Sequence, residues 1–158
     1  MAPDYVLVDE KVKDSFLDTL KSFIQKFNYQ PGAEHYTQII NQRNFERLIR
    51  FIDREKVYLG GNYDLQKKYI EPTVLHNINW DDNVMQDEIF GPILPVLTFK
   101  NFNEALLKIS EKDKPLAAYL FTKNPEEKEQ FKSKISFGGG CINDVVMHLS
   151  NDHLPFGG

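Results

Sequence analysis

Apolar positions recur along this chain in two rhythms, and each rhythm fixes a kind of element. Phe16, Leu20, Phe23 and Phe27 follow one another at spacings of four, three and four. That is one face of an α-helix. Leu17 and Ile24 widen the stripe, which predicts a well-buried helix. Asp9 stands ahead of it as a capping carboxylate, and Pro31-Gly32 turns the chain after it. Phe45, Leu48, Ile49 and Ile52 form a second stripe and predict a helix from about Thr37 to Arg54. Shorter apolar runs lack the helical rhythm and read as strands. They are Tyr5-Val6-Leu7-Val8, Val57-Tyr58-Leu59 before Gly60-Gly61-Asn62, Tyr69 to Leu75, Ile93 to Phe99, Leu116 to Phe121, and Cys141-Ile142. Pro72 has no N–H to donate, which pushes its strand toward a sheet edge or a bulge. Two later helices have marked starts. Asn101 with Glu104, and Asn124 with Glu127, resemble capping boxes with Asn in the Ser/Thr place. Pro125 suits the first helical position of the second.

The resulting order is β-α-α-β-β-β-α-β-α-β. Strands separated by helices imply an α/β layer domain, a mostly parallel sheet with helices on both faces. Residues 1–158 are long enough for one such domain with a real core. The net charge is −4 with both signs interleaved, which argues against a general nucleic-acid binder. No apolar run approaches a membrane span, and no signal-peptide pattern follows Met1. The single cysteine, Cys141, excludes an intramolecular disulfide and fits a reducing compartment. A cytoplasmic location is the expectation.

Several residue groups invite a chemical reading. Cys141 is the one candidate thiol nucleophile, with His148 as a base and Asp144 or Asp152 to orient it. Its place in an apolar strand, with no helix N-terminus to lower its pKa, favours a structural thiol. His148, Asp152 and His153 lack the one-face spacing of a metal site and read as a polar loop. Gly138-Gly139-Gly140 is not followed by the Lys-Ser/Thr of a phosphate loop, so close backbone packing is the better reading. Arg43, Arg47 and Arg50 are interleaved with Glu46, Asp53 and Glu55, as on a solvated helix face. The strongest constellation is Asp87-Glu88-Ile89-Phe90-Gly91-Pro92 before an apolar strand. Gly-Pro ends what precedes it, leaving Glu88 and Phe90 in a turn at the mouth of a sheet. A carboxylate accepts hydrogen bonds from vicinal hydroxyls and an aromatic packs on a flat ring, which suits a ribose and its base; the alternative is an ordinary turn with a solvated carboxylate and a packed Phe.

That hexapeptide resembles the E-x-F-G-P signature of the aldehyde dehydrogenases, and further motifs follow the same family in order. Ala2-Pro3-Asp4-Tyr5 is similar to the segment just after its catalytic cysteine. Tyr69-Ile70-Glu71-Pro72-Thr73-Val74-Leu75 resembles the strand before the signature, and Pro115-Leu116-Ala117-Ala118-Tyr119-Leu120-Phe121 the strand after it. Gly139-Gly140-Cys141-Ile142-Asn143-Asp144 and Leu154-Pro155-Phe156-Gly157-Gly158 resemble the end of the catalytic domain. The Asn-Asp-Val-Val-Met-His run is most similar to the class 3, or fatty aldehyde, branch.

The resemblance implies a catalytic-domain fold and the oxidation of aldehydes to carboxylic acids with NAD or NADP, through a cysteine thioester that water hydrolyses. It gives Glu88 the nicotinamide-ribose hydroxyls and Phe90 a face against the nicotinamide. Phe156 would line the aldehyde pocket, with Asn143 and His148 nearby. It implies a homo-oligomer, with a dimer as the expectation, and no metal. The family nucleophile lies two residues before the alanine matched by Ala2, and no cysteine stands there in this chain. Cys141 does not match its motif. The family's Rossmann-type cofactor domain, general-base glutamate and oxyanion asparagine come earlier in its sequences. The chain is therefore expected to be a catalytic-domain fragment, inactive alone and without tight dinucleotide binding, whose partner is its own N-terminal cofactor domain. The alternative is a non-catalytic relative acting as a binding or dimerisation module.

Overall fold

Residues 3–154 are described in the structure, a computed structural model. The chain divides after Phe99 into two compact units. In the first, strand β1 (Val6–Asp9) runs into a 3-10 turn, Glu10–Val12, and helix α1 (Lys13–Phe27). Asp9 caps the turn rather than α1: its carboxylate accepts the Lys11 N–H at 2.9 Å. Helix α1 is less buried than its stripe predicts. Leu17, with half-buried Phe16, Leu20 and Ile24, meets Val8, Val74 and Val96. Phe23 and Phe27 lie outside that cluster and are more than half exposed. The apolar stripe is longer than the strip of sheet available to it.

Helix α2 (Gln42–Ile49) starts later than its stripe predicts. Asn41 sets the start, its side chain accepting the Asn44 N–H at 2.8 Å. Ahead of it the Ile39 N–H bonds to the Lys68 carbonyl, so that stretch is committed elsewhere. Five strands follow: β2 (Val57–Leu59), β3 (Tyr63–Asp64), β4 (Tyr69–Ile70), β5 (Thr73–Leu75) and β6 (Ile93–Phe99). The single strand expected over Tyr69 to Leu75 is thus two. Its first half closes a hairpin with β3, and its second half enters a four-stranded sheet of order β1-β6-β5-β2. Pro72 marks the switch between sheets, where a missing N–H leaves no ladder bond broken.

In the larger sheet β1 and β5 both run parallel to β6, and β2 is antiparallel to β5. Val6 is opposite Val96 and Val74 opposite Leu94. The period-2 alternation of strands sorts the side chains onto two faces. Leu7, Leu75, Ile93 and Leu97 join Phe45, Leu48, Phe51 and Ile52 of the α2 region. Val6, Val8, Val74 and Val96 meet α1. Helices therefore cover both faces of a mostly parallel sheet.

Polar groups stitch this layer. Lys56 Nζ lies 2.6 Å from the Asp82 carboxylate. Burial pushes the Asp82 carboxyl up, but the Lys56 hydrogen bond and charge and the Asn79 N–H outweigh it, and the group titrates below its usual range. Thr73 is buried; its hydroxyl accepts the Gly61 N–H at 2.9 Å and donates to the Glu71 carbonyl at 2.7 Å. Replacing that hydroxyl with a methyl leaves the Gly61 N–H unsatisfied. Thr73→Val is expected to destabilise the unit by about 1–3 kcal/mol, read as a lower urea midpoint by Trp80 fluorescence. An unchanged midpoint would show that the hydroxyl contributes nothing.

The second unit alternates helix and strand: α3 (Phe102–Ser110), β7 (Ala117–Leu120), α4 (Pro125–Lys134) and β8 (Gly139–Ile142). Strands β7 and β8 are parallel, Ala117 opposite Gly139 and Leu120 opposite Ile142. Leu106, Phe131 and Ile135 form its core. Both asparagine caps are present: Asn101 accepts the Asn103 and Glu104 N–H groups, and Asn124 that of Glu126. In α4, Glu127 instead accepts a hydrogen bond from the Thr122 hydroxyl. The glycine run packs closely, as its composition suggests: a Cβ on Gly140 would stand 2.3 Å from the Ala118 carbonyl oxygen.

Candidate functional site

The turn before β6 is tied down in its backbone and open in two of its side chains. The Ile89 side chain is buried with Phe45, Leu48 and Val84. Its N–H donates to Asp4 Oδ1 at 2.8 Å. Arg47 donates from Nη1 to the Glu88 carbonyl at 3.0 Å and from Nη2 to the Ile89 carbonyl at 2.7 Å, with its guanidinium over the Phe51 ring. Gly91 leaves no room for a side chain: a Cβ there would lie 2.5 Å from Leu48 Cδ2. The Pro92 carbonyl accepts the Thr73 N–H at 2.8 Å, joining the turn to the start of β5.

Between these anchors Phe90 takes a left-handed conformation, φ 46, and the residue is 78% exposed. A bulky side chain in that region is strained by about 1–3 kcal/mol, and such residues cluster at ligand sites. Glu88 is exposed. Among the described residues its carboxylate has no hydrogen-bond or ionic partner. The two side chains singled out from the sequence thus share one rigid turn, and both face solvent.

Arg47 departs from the solvated face expected for the three arginines. Arg43 and Arg50 are exposed, but Arg47 is half-buried and bound to the turn. The available signal was its place between Phe45 and Leu48, at the border of the α2 stripe.

Asn143, His148 and Cys141 belong to the second unit. Asn143 follows β8 in a left-handed conformation. Its side chain accepts the Thr122 N–H at 2.9 Å and donates to the Thr122 carbonyl at 3.0 Å, pinning the loop after β8 to the loop after β7. His148 lies in a 3-10 turn, Met147–Ser150, and its ring covers Gly139, where a Cβ would be 2.4 Å from Cδ2. Its Nδ1 is 3.8 Å from Cys141 Sγ. The thiol and the imidazole are therefore neighbours, as their sequence spacing allowed. Among the described residues no carboxylate bonds to His148, and no group of three His, Cys, Asp or Glu could hold a metal ion. Phe156 lies outside the described residues.

A mostly parallel sheet with helices on both faces, carrying a fixed turn with an exposed carboxylate and aromatic at the amino end of β6, defines an α/β class of protein. Solved structures of similar form narrow the class. A substrate-bound aldehyde dehydrogenase from Staphylococcus aureus superposes with a TM-score of 0.94 at 41% identity, covering 99% of this chain and 35% of that one. An indole-3-acetaldehyde dehydrogenase complexed with NAD+ superposes with a TM-score of 0.83 at 26% identity, over 98% of this chain and 33% of that one. The aldehyde dehydrogenase family pattern matches residues 1–158, and the chain belongs to that family. Among its relatives, the 4,4'-diaponeurosporen-aldehyde dehydrogenase of Staphylococcus aureus is 41% identical, and the dimeric NADP-preferring aldehyde dehydrogenase of Mus musculus is 38% identical. Each alignment takes in 100% of this chain, which spans 35% of the relative's length.

Proposed function

We propose that this chain serves an NAD(P)-dependent aldehyde dehydrogenase as its catalytic domain, with the turn at 87–92 receiving the nicotinamide end of the dinucleotide. The observation that carries this reading is the contrast within that turn: a backbone held by charged side chains, and an unpartnered carboxylate and a strained aromatic left exposed. The chemistry of these groups fits the cofactor. Glu88 accepts hydrogen bonds from the ribose hydroxyls, and Phe90 lies against the nicotinamide and keeps water from one side of it. The dinucleotide supplies the hydride acceptor. The nucleophilic thiol belongs to the segment preceding Ala2, by the family motif that Ala2-Pro3-Asp4-Tyr5 continues.

On this reading Phe156 lines the aldehyde pocket, with Asn143 and His148 nearby. Cys141 keeps a structural place in β8. The enzyme works as a homo-oligomer in the cytoplasm. Among the described residues no helix is long and apolar enough to cross a membrane.

The test is aldehyde-dependent formation of NADH or NADPH by the full-length protein that carries this sequence, across aliphatic, aromatic and unsaturated aldehydes. Turnover with at least one class is expected. No reduction with any of them, alongside retained self-association, would leave a non-catalytic dimerisation module instead.

A further inference from the structure

Two charged side chains from distant parts of the first unit converge on one short stretch of backbone. Asp4 takes the Ile89 N–H at 2.8 Å, and Arg47 takes the Ile89 carbonyl at 2.7 Å and the Glu88 carbonyl at 3.0 Å. Among the described residues no main-chain group bonds to residues 88–90. These three bonds, with the buried Ile89 side chain, are what fixes them. The guanidinium's planar fork reaches two successive carbonyls from two separate nitrogens, a fixed geometry that an ammonium, with all its donors on one nitrogen, does not reproduce. Charge-assisted bonds of this kind are shorter and more directional than neutral ones. They hold a backbone that turns left-handed at the very next residue, Phe90.

Asp4 carries a second meaning through its place in the chain. It lies two residues after Ala2, in the segment that resembles the one following the family nucleophile. One hydrogen bond therefore joins the nucleophile's own segment to the turn that bears Glu88 and Phe90. We propose that Asp4 and Arg47 are positioning residues for hydride transfer: together they set the nicotinamide-facing turn at a fixed distance from the thiol's segment. This rests on the function proposed above. The clamp touches neither substrate nor cofactor; it acts through the main chain of Glu88 and Ile89.

The experiment uses the full-length protein with Arg47→Lys, Arg47→Met and Asp4→Asn. Three readouts separate placement from general structure. The first, without cofactor, is hydrogen–deuterium exchange in peptides covering 87–92. It is expected to quicken by about tenfold in Arg47→Met as the three-bond clamp opens, with the rest of the protein unchanged. The second is steady-state kinetics with a deuterated aldehyde. The KM for the dinucleotide is expected to rise by about tenfold and the isotope effect on kcat to grow, because misplaced groups slow the transfer step. Arg47→Lys, which retains charge without the fork, falls between wild type and Arg47→Met. The third is acylation of the thiol by an activated aryl ester, which needs no hydride acceptor and stays near wild type. Wild-type exchange in the turn with an unchanged isotope effect overturns the proposal. So does a loss in which ester acylation and exchange throughout the protein fail together, since that marks a merely structural role. Absence of aldehyde oxidation in the wild-type protein would instead overturn the proposed function, and the exchange readout would still report whether the clamp holds the turn.

Discussion

Gly60→Ala is expected to destabilise the first unit by about 2–5 kcal/mol, combining backbone strain and overpacking. Gly60 sits at φ +79, where an L side chain is strained. Its Cβ would also stand 2.2 Å from the Pro72 carbonyl oxygen and 3.1 Å from Thr73 Cα. Those neighbours are backbone, so they cannot rotate away. Relief requires moving the start of β5, and the Thr73 N–H there holds the Pro92 carbonyl. The disturbance therefore reaches the turn at 87–92 as well. Against a typical total of about 5–15 kcal/mol, a loss of this size is a large fraction. Chemical denaturation followed by Trp80 fluorescence measures it. Trp80 is the one tryptophan of the chain and packs against the core on the α2 side. A midpoint within error of wild type would mean that the Gly60 turn relaxes freely and that the contact with Pro72 has no energetic weight.

Glu88→Gln is expected to separate stability from catalysis in the opposite way. The side chain is exposed and makes no contact that the fold requires, so stability should change by no more than about half a kcal/mol. On the proposed function, the loss falls on the dinucleotide. Weakening a charge-assisted hydrogen bond to a hydroxyl costs roughly 1.5–3 kcal/mol, or about ten- to a hundredfold. It should appear in the dinucleotide KM and in the transfer step of the full-length enzyme, with a larger isotope effect from a deuterated aldehyde. Hydrolysis of the thioester needs no nicotinamide contact and should suffer less. If KM and isotope effect both stay at wild-type values, Glu88 is a solvated turn carboxylate and no more.

The fold's outline could be read from the chain because its signals are local. The strand at Ile93–Phe99, the asparagine caps and the glycine run each depend on neighbours within a few residues, and each is present where expected. The pair Glu88 and Phe90 was legible for the same reason, since Gly91-Pro92 forces a turn whatever surrounds it. What escaped was long-range. Arg47 reads as one of three surface arginines until a turn some forty residues later supplies two carbonyls. Pro72 shows that a strand is interrupted, but only the pairing of β4 with β3 and of β5 with β6 shows that the halves enter different sheets. Phe23 and Phe27 belong to a regular helical stripe, and periodicity says nothing about how far the opposing sheet extends. Asn143 offered no signal for its two bonds to Thr122, because the parallel pairing of β7 and β8 brings those loops together.

Phe90 sets a limit on how this protein can be improved. Its left-handed backbone and exposed ring run against folding on both counts, so selection or engineering for thermal resistance alone will favour replacing it with glycine or asparagine, which adopt that conformation with less strain. Such a variant would survive heating better and lose the aromatic that the proposed function sets against the nicotinamide. On the proposed function, a stability screen run without an activity screen would therefore enrich at this one position for variants with a weakened cofactor site, and a consensus drawn from heat-selected clones would lose the aromatic altogether.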